Sequence, residues 1–378
     1  MKLSLPALIL AGAMLLGLAA CSTAPASEDT GEQTAADLKV GLLLAGQGED
    51  SYSQSHIQDL RIACENLGLD YDSQVFVQEE VPRDGSAVKN LQALADQGCQ
   101  IVFSTDPALE EPLTVFAGRR SDIIFCQAAG FRGAQDTLDN THDYYVKLYE
   151  AQYLAGIAAG QKTQTGLLGC VAAEDSAVVI SAFTAFYLGA KSVAPEATMV
   201  VRYTGSWSDQ ETEAAAAQGL IDQGCDVLCH CTDTTAVAQT AQTNGVWAVG
   251  WGQDMTDAAP QAALVSTRVN WSAYYTYALE CLLQNREIPQ DWCGDYAGGA
   301  CDLTELNQAI AAEGTAKAIQ EAADGIAEDV VEVFTGPLYG IDAEGNELIL
   351  AKGEFYPENQ EGSLPTFAYL VNGITVLP

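Results

Sequence analysis

The stretch "DQGCQIVFSTD" at residues 96–106 nearly recurs as "DQGCDVLCHCTD" at 222–233. Both copies begin Asp-Gln-Gly-Cys, run through apolar residues and stop at Thr-Asp. A glycine there punctuates a helix end. The short apolar run that follows has the pattern of a strand buried on both faces. A second pair of equal length, "GLLLAGQGEDS" at 41–51 and "GLLGCVAAEDS" at 166–176, starts 125 residues apart, against 126 for the first pair. Two matches at nearly one offset predict two lobes of the same topology.

The intervening sequence fits. "KVGLLLAG", "YDSQVFVQE", "CQIVFSTD" and "DIIFCQAAG" read as strands, and "SHIQDLRIACENLG" and "GSAVKNLQALADQG" as helices. From about residue 150 a second alternating series follows, ending at "VWAVGWGQD". Strands alternating with helices of 10 to 15 residues predict an α/β protein, with parallel sheets flanked by helices and a cleft between lobes. Ligands in such sheets bind beyond the carboxyl ends of the strands. Both Thr-Asp pairs and both Glu-Asp-Ser triplets fall there, so facing lobes would bring them into one cleft.

The first twenty residues are a separate object. Lys2 precedes an apolar run from Leu3 to Ala20, and "LAAC" ends at Cys21. Small residues before a cysteine resemble a signal peptide with a lipobox, which makes Cys21 the lipidation site and places the protein on the extracytoplasmic face of a membrane. "STAPASEDTGEQTAAD" reads as a flexible tether. The expected organisation is 1–20 signal peptide, 21–37 lipidated cysteine and tether, 38–145 first α/β lobe, 146–268 second α/β lobe, and 269–378 a return segment. Helices and a C-terminal hairpin, "VVEVFTGPLYGIDAEGNELIL", complete the lobes there.

With 48 per cent hydrophobic and 18 per cent charged residues, the chain folds and is not disordered. A net charge of -35 repels nucleic acid. The three histidines, His56, His142 and His230, sit in no nucleophile elbow, HExxH or phosphate loop, so no enzyme is expected. "CHC" at 229–231 lacks the second cluster that zinc needs, and no metal or cofactor is expected. Cys293 and Cys301 flank a Gly-rich loop, with a disulfide between them left open.

Several segments resemble the basic membrane protein family, the substrate-binding lipoproteins of ABC transporters with a type I periplasmic-binding fold. They are "KVGLLLAG", "EAQYLAGIAAG" at 150–160, "YTGSWSD" at 203–209, "LIDQGCDVLCHCTDTTAVAQTA" at 220–241, "AVGWGQDM" at 248–255 and "RVNWSAYYTYAL" at 268–279. The resemblance implies a purine nucleoside or nucleobase as ligand, ABC permease and ATPase subunits as partners, and a hinge that closes two lobes. A sugar, amino acid or signalling molecule, or a sensing lipoprotein without a transport role, is the alternative.

It also implies the site. After the first strand the family places an aromatic residue and an Asn; this chain has Tyr52, Ser53 and Gln54. Trp207 of "TGSW" would sandwich a ring with Tyr52. Trp251 and Asp254 fall in the family's Gly-aromatic-Asp-x-Asp segment, with Gly252 in place of the first Asp, and Val269, Asn270 and Trp271 stand where many members carry a Lys. Both departures favour a free base, or another small aromatic or polar ligand, over a ribosyl ligand. Tyr149 completes the set. Trp207 and Trp271 are equally consistent with core packing. Asp106 and Asp233 are equally consistent with capping the helices that follow them, and Glu150 with offsetting a helix dipole.

Overall fold

The computed structural model describes residues 34–48, 51–130, 138–359 and 362–377. The signal peptide, Cys21 and most of the tether lie outside the described residues. Part of the expected tether, residues 34–37, is described. Ala35–Asp37 form a single helical turn, and the Gln74 amide donates to the carbonyls of Ala35 and Leu38, at 2.6 Å each.

The alternation appears as predicted, except that Tyr71–Gln74 of the expected strand "YDSQVFVQE" form a helical turn and only Val75–Gln78 are extended. In chain order the first half runs β1 (Val40–Leu43), α1 (Ser51–Leu67), α2 (Tyr71–Gln74), β2 (Val75–Gln78), α3 (Val88–Asp96), β3 (Ile101–Ser104), α4 (Glu110–Ala117), β4 (Ile124–Ala128) and β5 (Thr141–Val146). The second runs α5 (Leu148–Lys162), β6 (Leu167–Ala172), α6 (Ala177–Val193), β7 (Thr198–Tyr203), α7 (Gln210–Asp222), β8 (Val227–Cys231), α8 (Ala236–Asn244), β9 (Trp247–Gly250) and β10 (Ala263–Val269). Then come α9 (Ser272–Leu283), β11 (Asp291–Gly294), β12 (Cys301–Leu303), α10 (Thr315–Ala327), β13 (Leu338–Ile341), β14 (Glu347–Leu350), β15 (Leu370–Val371) and β16 (Ile374–Leu377).

One sheet has the order β2-β1-β3-β4-β5-β11, and the other β16-β7-β6-β8-β9-β10-β12. The first five strands of each half are therefore wound identically. Every pairing in the two sheets is parallel except β10 with β12. The repeated Asp-Gln-Gly-Cys is the same helix end built twice. Cys99 N–H donates to Leu94 O and Cys225 N–H to Leu220 O, each at 3.2 Å. Gly98 and Gly224 stand at φ +83° and +97°, a region only glycine enters freely. This six-to-one bond closes the helix, and the apolar strand leaves from it.

The chain passes between the sheets three times: between β5 and α5, between β10 and α9, and between β11 and β12. Helix α9 packs on α1 beside the first sheet, although it follows the second. The crossings are tied together. Lys147 N–H donates to Gly294 O and Asn270 N–H to Ala300 O, both at 2.8 Å.

The C-terminal hairpin forms as β13 and β14, joined antiparallel, with β15 completing a small third sheet. Strand β16 then extends the second sheet beside β7. Strands β11 and β12, "DWCG" and "CDL", carried no local signal. The Ala-rich run after Asp302 is helical only over Thr315–Ala327, with Gly314 at φ +87° as its N-cap. Cys293 and Cys301 are not bridged; all ten cysteines from Cys64 onward are free thiols. Cys293 faces Ser363 O and Cys301 faces Lys147 O.

Candidate functional site

The carboxyl ends of the two sheets face one cavity of about 870 Å³. Equivalent corners of both halves line it: Ser51 and Tyr52 opposite Ser176 and Ala177, and Asp106 opposite Asp233. Ser51 Oγ donates to Asp233 O at 2.8 Å, joining the two halves directly.

The walls are aromatic. Tyr52 opens α1, and its hydroxyl donates to Thr105 O at 2.8 Å. It meets the Trp271 ring edge-on at 6.4 Å. Behind them His56 stacks on Trp271 at 4.4 Å and 20°, and its Nδ1 lies 2.6 Å from the Tyr275 hydroxyl. Burial pushes the His56 imidazole down to about 3, so it backs the wall as a neutral ring. From the second sheet come Trp207 after β7 and Trp251 after β9, with ring centroids 6.4 Å apart.

The two Thr-Asp pairs do different work. Asp106 caps the turn after β3 through the Ala108 N–H at 2.9 Å and pairs with Arg83 at 2.8 Å. Capping and lining coincide there. Asp233 N–H donates to Trp207 O at 2.7 Å, which fixes the loop bearing that tryptophan. Below it, buried Glu213 accepts from the Thr232 and Thr234 hydroxyls at 2.8 and 2.6 Å.

Of the expected site residues, Tyr52, Asp106, Trp207, Asp233, Trp251 and Trp271 line the cavity. Ser53, Gln54, Tyr149, Asp254 and Asn270 are not among its described lining residues. Ser53 is turned into the body, and the Gln54 amide donates to Gly48 O. Asp254 is exposed and accepts from Thr256 N–H at 2.8 Å. Tyr149 donates to Asn359 Oδ1 at 3.0 Å and packs on Phe334. Asn270 serves the crossings; its amide donates to Gly299 O at 2.9 Å. The cavity also takes Arg83, Tyr145, Asp291 and the tail segment Gly362–Thr366, none of which the sequence singled out, and Glu174 and Ser176, which the second repeat did mark. Among the described residues no group of His, Cys, Asp and Glu is placed to hold a metal ion. The histidine of "CHC" is buried in β8, its Nδ1 3.0 Å from Thr232 O.

Glu150 sits buried where the crossings meet. Burial pushes its carboxyl up to about 7, and Tyr296 N–H at 2.8 Å and Lys147 at 3.9 Å only partly oppose this. A folded-state value above the unfolded 4.5 means the charged form costs stability above pH 7, a cost relieved as pH falls from 7 to 4.5. Glu150→Gln is therefore expected to be more stable than the parent by about 1–2 kcal/mol at pH 8, with the difference vanishing near pH 4.5. Urea midpoints across that range check it; a gain that grows on acidification would contradict it.

Two identically wound sheets, three crossings and a cavity at their carboxyl ends define a type I periplasmic-binding fold. A transcriptional activator of the comK gene from Bacillus halodurans superposes with TM-score 0.67 at 20% identity, over 77% of this chain and 98% of its own. An ABC transporter solute-binding protein from Conexibacter woesei does so with TM-score 0.65 at 19% identity, over 78% and 98%.

Sequence comparison narrows the class. The profile of the Bmp family, PnrA-like ABC transporter substrate-binding proteins, matches residues 38–330, and the chain belongs to that family. A purine-binding protein of Brucella abortus is 29% identical over 80% of this chain and 84% of its own length. A putative ABC transporter glucose-binding protein of Haloferax volcanii is 28% identical over 84% and 79%. Among the described residues no helix is long and apolar enough to cross a membrane.

Proposed function

We propose that this substrate-binding protein captures a purine base or nucleoside-like ligand and passes it to an ABC permease and ATPase. Hinge motion at the three crossings closes the two sheets on the ligand. The carrying observation is the pair of aromatic walls: Tyr52 and Trp271 beside the first sheet, Trp207 and Trp251 from the second. A planar heterocycle stacked on such rings gains about 1–3 kcal/mol per base, as in nucleic-acid recognition. The Brucella relative described as purine-binding supports this reading. The protein works from a lipid anchor at Cys21 on the extracytoplasmic face, a reading supported by the lipobox wording. A sugar is the second reading, favoured by the Haloferax relative and by the cavity carboxylates, which accept hydroxyl donors equally well.

A thermal-shift screen of nucleobases, nucleosides, sugars and amino acids separates them. A purine at a hundred times its dissociation constant stabilises the fold by about 2.7 kcal/mol and raises the melting temperature by several degrees. A shift with D-glucose and none with any purine would sink the purine reading and leave the family intact.

A further inference from the structure

Strand β11 brings an acid to the cavity from the far edge of the first sheet. Asp291 pairs in register with Asp143 on β5, Asp143 with Gln127 on β4, and Gln127 with Ser104 on β3. Residues paired in register share one face of a parallel sheet, so four polar side chains form a row. Three of them are undersatisfied among the described residues: Ser104 Oγ, Gln127 Oε1 and Asp291 Oδ1 are buried with no hydrogen-bond partner there. Of the four, Asp291 lines the cavity.

Above Asp291 lies the tail segment Gly362–Thr366, also cavity wall and beyond the family-matched residues 38–330. This strap is fixed at both ends. Asn359 Nδ2 donates to Ser363 O at 2.7 Å, while Glu358 accepts from the backbone N–H groups of Thr366 and Phe367 at 2.8 and 3.0 Å. Phe367 stacks on Phe334 at 4.2 Å. Burial raises the Asp291 carboxyl above its ordinary value, and contacts from Ser363 pull it part of the way back. A carboxylate has about four acceptor sites; those on Asp291 Oδ1 are unfilled, which is costly in a low-dielectric wall. Asp106, by contrast, is already neutralised by Arg83.

We propose that Asp291 and the strap 362–366 form a polar subsite of the ligand cavity, in which the Asp291 carboxylate accepts a hydrogen bond from an N–H or O–H group of a neutral or cationic ligand. The subsite rests on the reading that this cavity holds the transported ligand. Anionic groups are repelled from this end, so the ligand enters it donor-first.

The test is calorimetric titration of the mature chain with hypoxanthine, guanine, inosine, adenosine and D-glucose, for the parent, Asp291→Asn and Asp291→Ala. Asp291→Asn keeps the volume, so a folding defect in Asp291→Ala leaves one variant readable. The expected result is about tenfold weaker binding of the best ligand by Asp291→Asn, with the ligand-free melting temperature within a few degrees of the parent. Parent affinity in Asp291→Asn overturns the subsite, even where Asp291→Ala is unstable, since that outcome marks a purely structural acid. If the parent binds only D-glucose and Asp291→Asn weakens it, the purine reading fails and the subsite stands. A parent that responds to no compound overturns both.

Discussion

Gly156→Leu is expected to leave the protein without a cooperative fold at 37 °C. Helices α5 and α6 cross at backbone contact, where a Cβ on Gly156 would sit inside the radius of the Phe186 carbonyl oxygen. Gly160 meets Ala190 in the same way, and Gly189 on α6 meets the Tyr153 carbonyl. The obstacle is backbone, not the end of a side chain, so no rotamer change relieves it. Twelve of the fifteen residues of α5 are buried, and separating the helices would open the core on both sides of it. A typical overpacking costs about 1–3 kcal/mol; a clash with main chain in this contact costs more than about 4, against a typical total stability of 5–15. Circular dichroism on heating reads the outcome. Gly85→Ala is the control, since nothing lies within 4 Å of its Cβ position. A Gly156→Leu melt within a few degrees of that control would refute the argument. "EAQYLAGIAAG", one of the segments that resembles the family, thus marks helix packing and not the ligand.

Trp207→Ala is expected to weaken ligand binding by about 5- to 150-fold, the equivalent of a stacking loss of about 1–3 kcal/mol. The melting temperature of the free protein should move little. Trp207 is only partly buried, and the backbone bond that holds its loop, from Asp233 N–H to Trp207 O, survives truncation. Trp271 is a poorer probe because it is 3% exposed and stacked on His56, so its removal opens a cavity in the body. Titration with the strongest ligand of the thermal screen measures the effect. Unchanged affinity would place the ligand away from the second aromatic wall.

Part of the candidate site was legible because it lies at repeated, local features. Asp106 and Asp233 end apolar strands and Ser176 ends a repeated strand-and-loop phrase, while Trp207 came from the "TGSW" wording that resembles the family. Tyr149 and Asn270 were read as ligand contacts from the resemblance to the family alone. Which way a residue faces depends on its partners, and theirs are the tail and the crossings, at Asn359 and Gly299. Arg83 was invisible, since its importance is a salt bridge to a carboxylate 23 residues away.

By itself the sequence determined two similarly wound α/β halves. Apolar runs, helix periods and glycine stops act over a few residues and were written twice at one offset. The tertiary structure alone decided how the halves are joined and what closes the cavity. Strand β11 is four residues, "DWCG", with no alternating or continuous apolar pattern, and it becomes a strand by pairing with β5, whose Asp143 lies opposite Asp291. The strap at 362–366 has no regular structure, and its place comes from Glu358, Asn359 and the Phe334–Phe367 stack. Pairings of that range are set by the folded body as a whole and leave no periodic trace in the chain that makes them.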